Sequence, residues 1–405
     1  MSASQAERRR FDSGRPLFIN QSECAGASCP LVKHKKMRLT DILKKKSAAP
    51  PSAVPPLAEV PRRPAAAVPS PVPVVVPSKD VARPPVFKAS ASPRAEASDV
   101  FARAVTASRD MFAAAVSSKK IPPPAIVEDI AVSVAADPSG MLLCIPRTTA
   151  DHYIHSHSVN VCAISSIIAA RMGFSDDDIR VLALAAFMHD IGMARILDQV
   201  VSKAKLPPAE LQKIKEHPAS GQNFVDGFLD ADAAVKKLVG SVILEIHERA
   251  DGSGYPKGLK NEKISEYARI IAAADAYEAM THPRCYKNHV IPHEAIKTII
   301  NEAEKSFDNE VMKAFITVMS LYPVGSYVRL SNSEVAKVVS TNENMPTRPK
   351  VKVVIDPSGK KSAEDRLIDL EEVSIVAIRE AVDETKLKLD PKLLLELQTQ
   401  KWWIM

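Results

Sequence analysis

No run of about 18 apolar residues occurs in the 405-residue sequence, which argues against a membrane span. The opening MSASQAERRRFDSG has no apolar signal core. Cysteine is sparse: five, an odd number scattered widely, do not make a disulfide framework. Cys24 and Cys29 sit in a polar tail without zinc-type partners and read as free thiols. Excess charge is small, at +6, and no long basic stripe with interleaved aromatics marks a nucleic-acid groove. The exception is VKHKKMRLTDILKKK (32–46), which is either a solvated basic run or a short helix that docks a partner or an acidic surface. No internal repeat of useful length is visible. Together these absences fit a protein of a reducing cytoplasm.

What is present divides the chain. More than half of the 31 prolines precede residue 125, and SAAPPSAVPPLAEVPRRPAAAVPSPVPVVVPS (47–78) is Pro/Ala/Val low complexity. Such a segment has few large side chains to bury and a restricted backbone, so residues 1–95 are expected to be a disordered, Pro/Ala-rich tether. The remaining ~310 residues suffice for a substantial core. The pattern predicts a mainly α domain over 96–322 and a small β-containing C-terminal subdomain over 323–405.

In SVNVCAISSIIAARMGF, Val161, Ile164, Ile168 and Met172 recur at three- and four-residue spacing, one face of a helix. Ser175 and Asp178 form a capping-box pattern before IRVLALAAFM, which is apolar nearly all round and runs into His189 and Asp190. Further helices are predicted at PAELQKIKEHPASGQNFVDGFL, AAVKKLVGSVILEIHE and EYARIIAAADAYEAM. After Pro323, GSYVRLS, VAKVVST and KVKVVIDPSG alternate like short strands. A helix near 366–380 is expected next. The end, LLLELQTQKWWIM, is either an amphipathic turn or a partner-binding tail.

An ionised Asp190 at the end of a buried helix costs several kcal/mol unless positive charge compensates it. Five more candidate ligands lie on helices rich in apolar residues: His157, His189, His217, His247 and Asp275. Imidazole with carboxylate suits iron, manganese, zinc or nickel, and without cysteine it is unlike a structural zinc clamp. A bridging aspartate suggests two metals ~3.5–4 Å apart, an arrangement that hydrolyses phosphodiesters. Spacing alone reaches a metal site and a phosphoester hydrolase.

HSHSVNV, FMHDIGM, EHPASG, HERADGSGYPKGL and ARIIAAADAYEAMTHPRCYK, in this order, resemble the HD-GYP domain, the branch of HD metal-dependent phosphohydrolases associated with bacterial cyclic di-GMP hydrolysis. The resemblance spans roughly 98–380 and implies an HD-type helical bundle holding two divalent metals, with iron or manganese expected. It implies that His157, His189, Asp190 and Asp275 hold one metal. Asp190, bridging, with His217 and His247 would hold the other. Asp190 and His189 would be catalytic. Gly254, Tyr255 and Pro256 would form the GYP loop beside the metals, open to partner proteins. Tyr255, Arg284 and Lys287 would face the cyclic dinucleotide, although Arg284 and Lys287 also read as solvated loop charges.

The pattern departs from the family at three places. Ile246 stands where a histidine is usual and cannot coordinate. Met193 replaces a phosphate-contacting lysine, a loss of about 1.5–3 kcal/mol of charge-assisted interaction. Arg195, two residues on, either substitutes or is an ordinary exposed charge. Glu278 replaces aspartate, a milder change. Tyr153 stands where three-metal members carry glutamate, so at most two metals are expected, and His152 and His155 read as surface residues.

Two functions follow from different emphases. The ligand set implies a cyclic di-GMP phosphodiesterase with slow turnover, yielding linear pGpG or GMP. Met193 and Ile246 instead suit a degenerate domain that senses the nucleotide or scaffolds partners. A general nucleotide phosphohydrolase is disfavoured by the GYP loop.

Overall fold

Ser175 starts the helix that carries the HD pair: its hydroxyl accepts the amide of Asp178, as the capping pattern requires. The computed structural model describes residues 97–145, 153–197, 207–282 and 290–402. The tether, the basic run 32–46, Cys24, Cys29, His152, Arg284 and Lys287 lie outside the described residues.

The chain is mainly α, with a small antiparallel sheet near its C-terminus. Helices α1 (Ala97–Val116), α2 (Ile126–Ala136) and α3 (Pro138–Cys144) precede α4 (Tyr153–Arg171) and α5 (Asp176–Met188). A 3-10 turn, Ile191–Met193, follows the HD pair. Next come α6 (Pro208–Lys215), α7 (His217–Phe228), α8 (Ala233–Glu245), α9 (Glu266–Thr281), α10 (Pro292–Ser306) and α11 (Asn309–Met319). Helices α4, α5 and α9 form the centre. Val161, Ile164 and Ile168 of α4, Leu182 and Phe187 of α5 and Ile270 and Ile271 of α9 all lose contact with water in one apolar cluster. Each such aliphatic contributes ~1.5–3 kcal/mol by burial. Met172 is only partly buried at that cluster's edge.

One predicted helix is two. The segment 208–229 breaks at Glu216, because Pro218 has no amide to offer the carbonyl of Ile214, four residues back, and its ring crowds that position. The break directs the start of α7 into the site.

Strands β1 (Tyr327–Leu330), β2 (Val335–Ser340), β3 (Lys350–Ile355), β4 (Leu367–Asp369) and β5 (Ile378–Val382) make one sheet in the order β4-β3-β2-β1-β5. Its register sets Val328 opposite Ala336 and Val338 opposite Val351, which share an apolar cluster with Leu330, Val353 and Leu370. Tyr327, Val335, Ile355 and Val382 form a second cluster, covered by Leu393 and Leu397 of α12 (Pro391–Trp402). The helix expected near 366–380 is thus corrected to two strands. Asp369 turns the chain by accepting the amide of Glu371, and Ile378–Val382 pairs with β1. The C-terminal LLLELQ lies in α12, whose Leu393 and Leu397 pack on the sheet, as an amphipathic end would. Among the described residues no helix is long and apolar enough to cross a membrane.

Candidate metal centre

The rings of His157, His189 and His217 are each fixed from outside. The Nδ1–H of His157 donates to the Glu278 carboxylate, that of His189 to the Ala186 carbonyl at 2.8 Å and that of His217 to the Ile214 carbonyl at 2.6 Å. The Ile214 carbonyl is the one that Pro218 leaves without a helical donor. With Nδ1 used as donor, a neutral ring turns the lone pair of Nε2 inward.

Those inward atoms meet one another and two carboxylates. His157 Nε2 lies 3.2 Å from His189 Nε2, 3.4 Å from Asp275 Oδ1 and 3.5 Å from Asp190 Oδ2. His189 Nε2 is also 3.5 Å from Asp190 Oδ2. The other oxygen of Asp190 is 3.3 Å from His217 Nε2, which is 3.0 Å from His247 Nε2. Asp275 reaches across likewise: its Oδ2 is 3.8 Å from His247 Nδ1. All six predicted ligands therefore come together, in two groups: His157, His189 and Asp275, and Asp190, His217 and His247. Among the described residues, no arginine or lysine pairs with Asp190 or Asp275.

This donor set fits divalent cations. Atoms bound about 2.1 Å from one ion stand ~3.0–3.4 Å apart at octahedral or tetrahedral angles, close to the spacings here. Neutral rings and ionised acids leave the pocket all lone pairs, which only a proton or a cation relieves. The charges reflect that. Burial opposes a charged His157 ring, but Glu278 and Asp275 hold its pKa well above 6.5. Burial pulls His217 down and, with the His217 charge, lowers His247 to about 3. Burial also opposes the charge of Asp190, yet His189, His217 and His157 hold it below the usual carboxylate range, and Asp275 is depressed by His157 in the same way.

The GYP loop closes beside His247. Tyr255 stacks on that ring at 5.1 Å and 20° between planes, and its amide bonds the His247 carbonyl at 3.1 Å. A Cβ on Gly254 would lie 2.4 Å from the Arg249 nitrogen and the Glu248 Cα, so only glycine fits. Tyr255–Pro256 is a cis peptide. Glu248, buried, accepts the amides of Lys257 at 2.6 Å and Leu259 at 2.9 Å and so ties down the loop's far side.

The departures now have places. Ile246 belongs to the apolar core cluster, and Met193 is buried in the turn after the HD pair. Arg195 is exposed and donates to the Ser118 hydroxyl, an ordinary surface charge. Tyr153 stacks on His157 at 5.6 Å. His155 is half-buried rather than a surface residue: its ring lies edge-on to Phe112, outside both ligand groups. Glu278 is more than a mild replacement. Fully buried, it meets His157, Asn160 Nδ2 at 3.0 Å and His282 Nδ1 at 2.8 Å. Sequence reasoning missed that role and the role of Glu248. The available signal was position: Glu278 is one turn past Asp275, on the same face of α9.

Residues 144–311 match the HD domain family, and residues 327–390 match the KOW domain associated with HD domain. The chain carries an HD domain of the HD-GYP type. A cyclic di-GMP phosphodiesterase of Pseudomonas aeruginosa is 35% identical over 246 residues, 60% of this chain and 58% of that protein. The cyclic di-GMP phosphodiesterase PdeB of Borreliella burgdorferi is 31% identical over 212 residues, 52% of this chain and 54% of its own. The response regulator RpfG of Xanthomonas campestris, also named a cyclic di-GMP phosphodiesterase, is 33% identical over 154 residues, 38% of this chain and 40% of its own. This HD-GYP chain spans about half the length of the curated relatives it matches.

Proposed function

We propose that this HD-GYP chain hydrolyses cyclic di-GMP to linear pGpG or GMP in bacterial second-messenger signalling, as a slow, cytoplasmic, two-metal phosphodiesterase. The observation that carries this reading is Asp190: its two oxygens face separate imidazole sets, His157 and His189 on one side and His217 on the other. His157, His189, Asp190 and Asp275 would hold one divalent ion; Asp190, His217 and His247 would hold the second, with iron or manganese favoured by nitrogen and oxygen donors. When bound, such a pair acidifies a water and offsets charge on the attacked phosphodiester. The chain's own residues do the rest. Glu278, Ala186 and Ile214 fix the rings, the apolar cluster keeps bulk water away and Tyr255 lines the approach. Arg284 and Lys287, outside the described residues, are proposed to meet the nucleotide phosphates. The GYP loop, or the tether, would serve protein partners.

A second reading, nucleotide sensing without turnover, is favoured by Met193, a buried thioether where a phosphate-binding cation would act. One sample decides. Protein loaded anaerobically with iron or manganese is assayed for cyclic di-GMP linearisation and metal content together. Turnover that disappears in Asp190→Ala supports the hydrolase. Tight nucleotide binding with less than one metal per chain and no product selects the sensor.

A further inference from the structure

Lys215 ends α6, two residues before His217. Its ammonium lies 5.7 Å from the Tyr255 ring centroid, and that ring stacks on His247. Lys215 is half-buried, and among the described residues no carboxylate lies within ion-pair distance of it. The neighbouring cation, Arg249, packs its guanidinium 5.2 Å from the Phe307 ring centroid. A cation held over an aromatic face is attracted by the ring and keeps its N–H groups for another acceptor.

The backbone places Lys215 beside the His217 and His247 side of the metal centre. Gly192 packs so closely on the first turn of α7 that a Cβ on it would stand 2.0 Å from the His217 carbonyl oxygen. The turn after the HD pair and the end of α6 therefore flank the same edge of the metal centre. From the turn comes only the thioether of Met193, which cannot meet an anion. From the helix comes a lysine.

We propose that Lys215 is a substrate-binding residue, donating a charge-assisted hydrogen bond to a non-bridging phosphodiester oxygen of the cyclic dinucleotide, with the Tyr255 ring steadying its ammonium. This rests on the hydrolase reading given above. Losing one such contact corresponds to roughly 10–100-fold in kcat/KM or affinity.

The test compares metal-loaded parent, Lys215→Met and Lys215→Arg with cyclic di-GMP, recording KM, kcat, binding affinity, metal content and ionic-strength dependence. Methionine keeps an unbranched side chain of similar length and removes the ammonium, with its charge and its contact to the Tyr255 ring. The expected result is a loss of about 10–100-fold in kcat/KM for Lys215→Met, with metal content at the parental level and a weaker salt dependence. Lys215→Arg should recover most of it. Parental kinetics in Lys215→Met, beside an active parent, overturns the role of Lys215 and leaves the hydrolase reading standing. So does a loss accompanied by missing metal, which would place the effect on His217. A parent that neither binds nor cleaves cyclic di-GMP overturns both.

Discussion

The carboxylate of Glu278 accepts the Nδ1–H of His157, joining α9 to α4 across 121 positions of sequence. It also takes hydrogen bonds from Asn160 and His282, so the acid that orients His157 is itself held from two further sides. A carboxylate behind a ligating imidazole fixes its tautomer and raises its basicity. Glu278→Gln removes the charge but keeps the shape. Metal affinity should fall about 10–100-fold, measured by chelator competition, while the fold persists by circular dichroism. Unchanged affinity would mean that His157 needs no outer partner.

Proton and metal should compete for the same lone pairs. The pKa of His157 is raised well above 6.5 by Glu278 and Asp275 against burial, so its stabilising contribution is full below 6.5 and fades as pH rises through that higher value. Asp275 and Asp190 are depressed below 3.8, so their contribution is present above 3.8 and fades only on stronger acidification. The metal-free protein should therefore lose stability on the alkaline side of 6.5. The rise in Tm produced by manganese should grow over that window. A manganese shift that shrinks with rising pH contradicts this, and differential scanning fluorimetry across pH 6–9 reads it directly.

Much of this centre was legible because each ligand interrupts an apolar pattern. His157, His189, Asp190 and Asp275 sit where helical periodicity demands a core residue, and an acid there calls for a cation. The GYP loop was legible from its glycines and proline. What was hidden depends on contacts between distant segments. Nothing local says that Glu278 meets His157, or that Lys215 lies over Tyr255. The strands at 367–369 and 378–382 were mistaken for a helix because β-pairing with β3 and β1 is non-local and overrides propensity. The break before His217 could have been read from Pro218, which is tolerated in a first helical turn and not in a helix interior.

Pro218 links backbone to chemistry at that break. Without its ring, the amide at 218 could bond the Ile214 carbonyl, continue α6 into α7 and compete with His217 Nδ1 for that oxygen. Pro218→Ala is thus expected to leave the fold intact while lowering occupancy of the Asp190, His217 and His247 group, by about tenfold in affinity. Metal analysis of variant and parent at equal chelator checks it. Full occupancy would show that His217 is oriented by packing alone.

The loop offers a separate test, because it holds no ligand beyond His247 at its start. At Gly254 a methyl group would meet only backbone: the Arg249 nitrogen, the Glu248 Cα and the His247 carbonyl oxygen, all within 2.5 Å. None of these is the movable end of a side chain, so the loop itself has to shift. Gly254→Ala should draw the Tyr255 ring off His247 and away from Lys215. Glu248 still anchors the amides of Lys257 and Leu259, which confines the disturbance to the loop's near side. The expected outcome is a rise in KM for cyclic di-GMP with metal content near that of the parent. If metal and nucleotide binding were lost together, the loop would be holding His247 in place rather than shaping the mouth of the pocket.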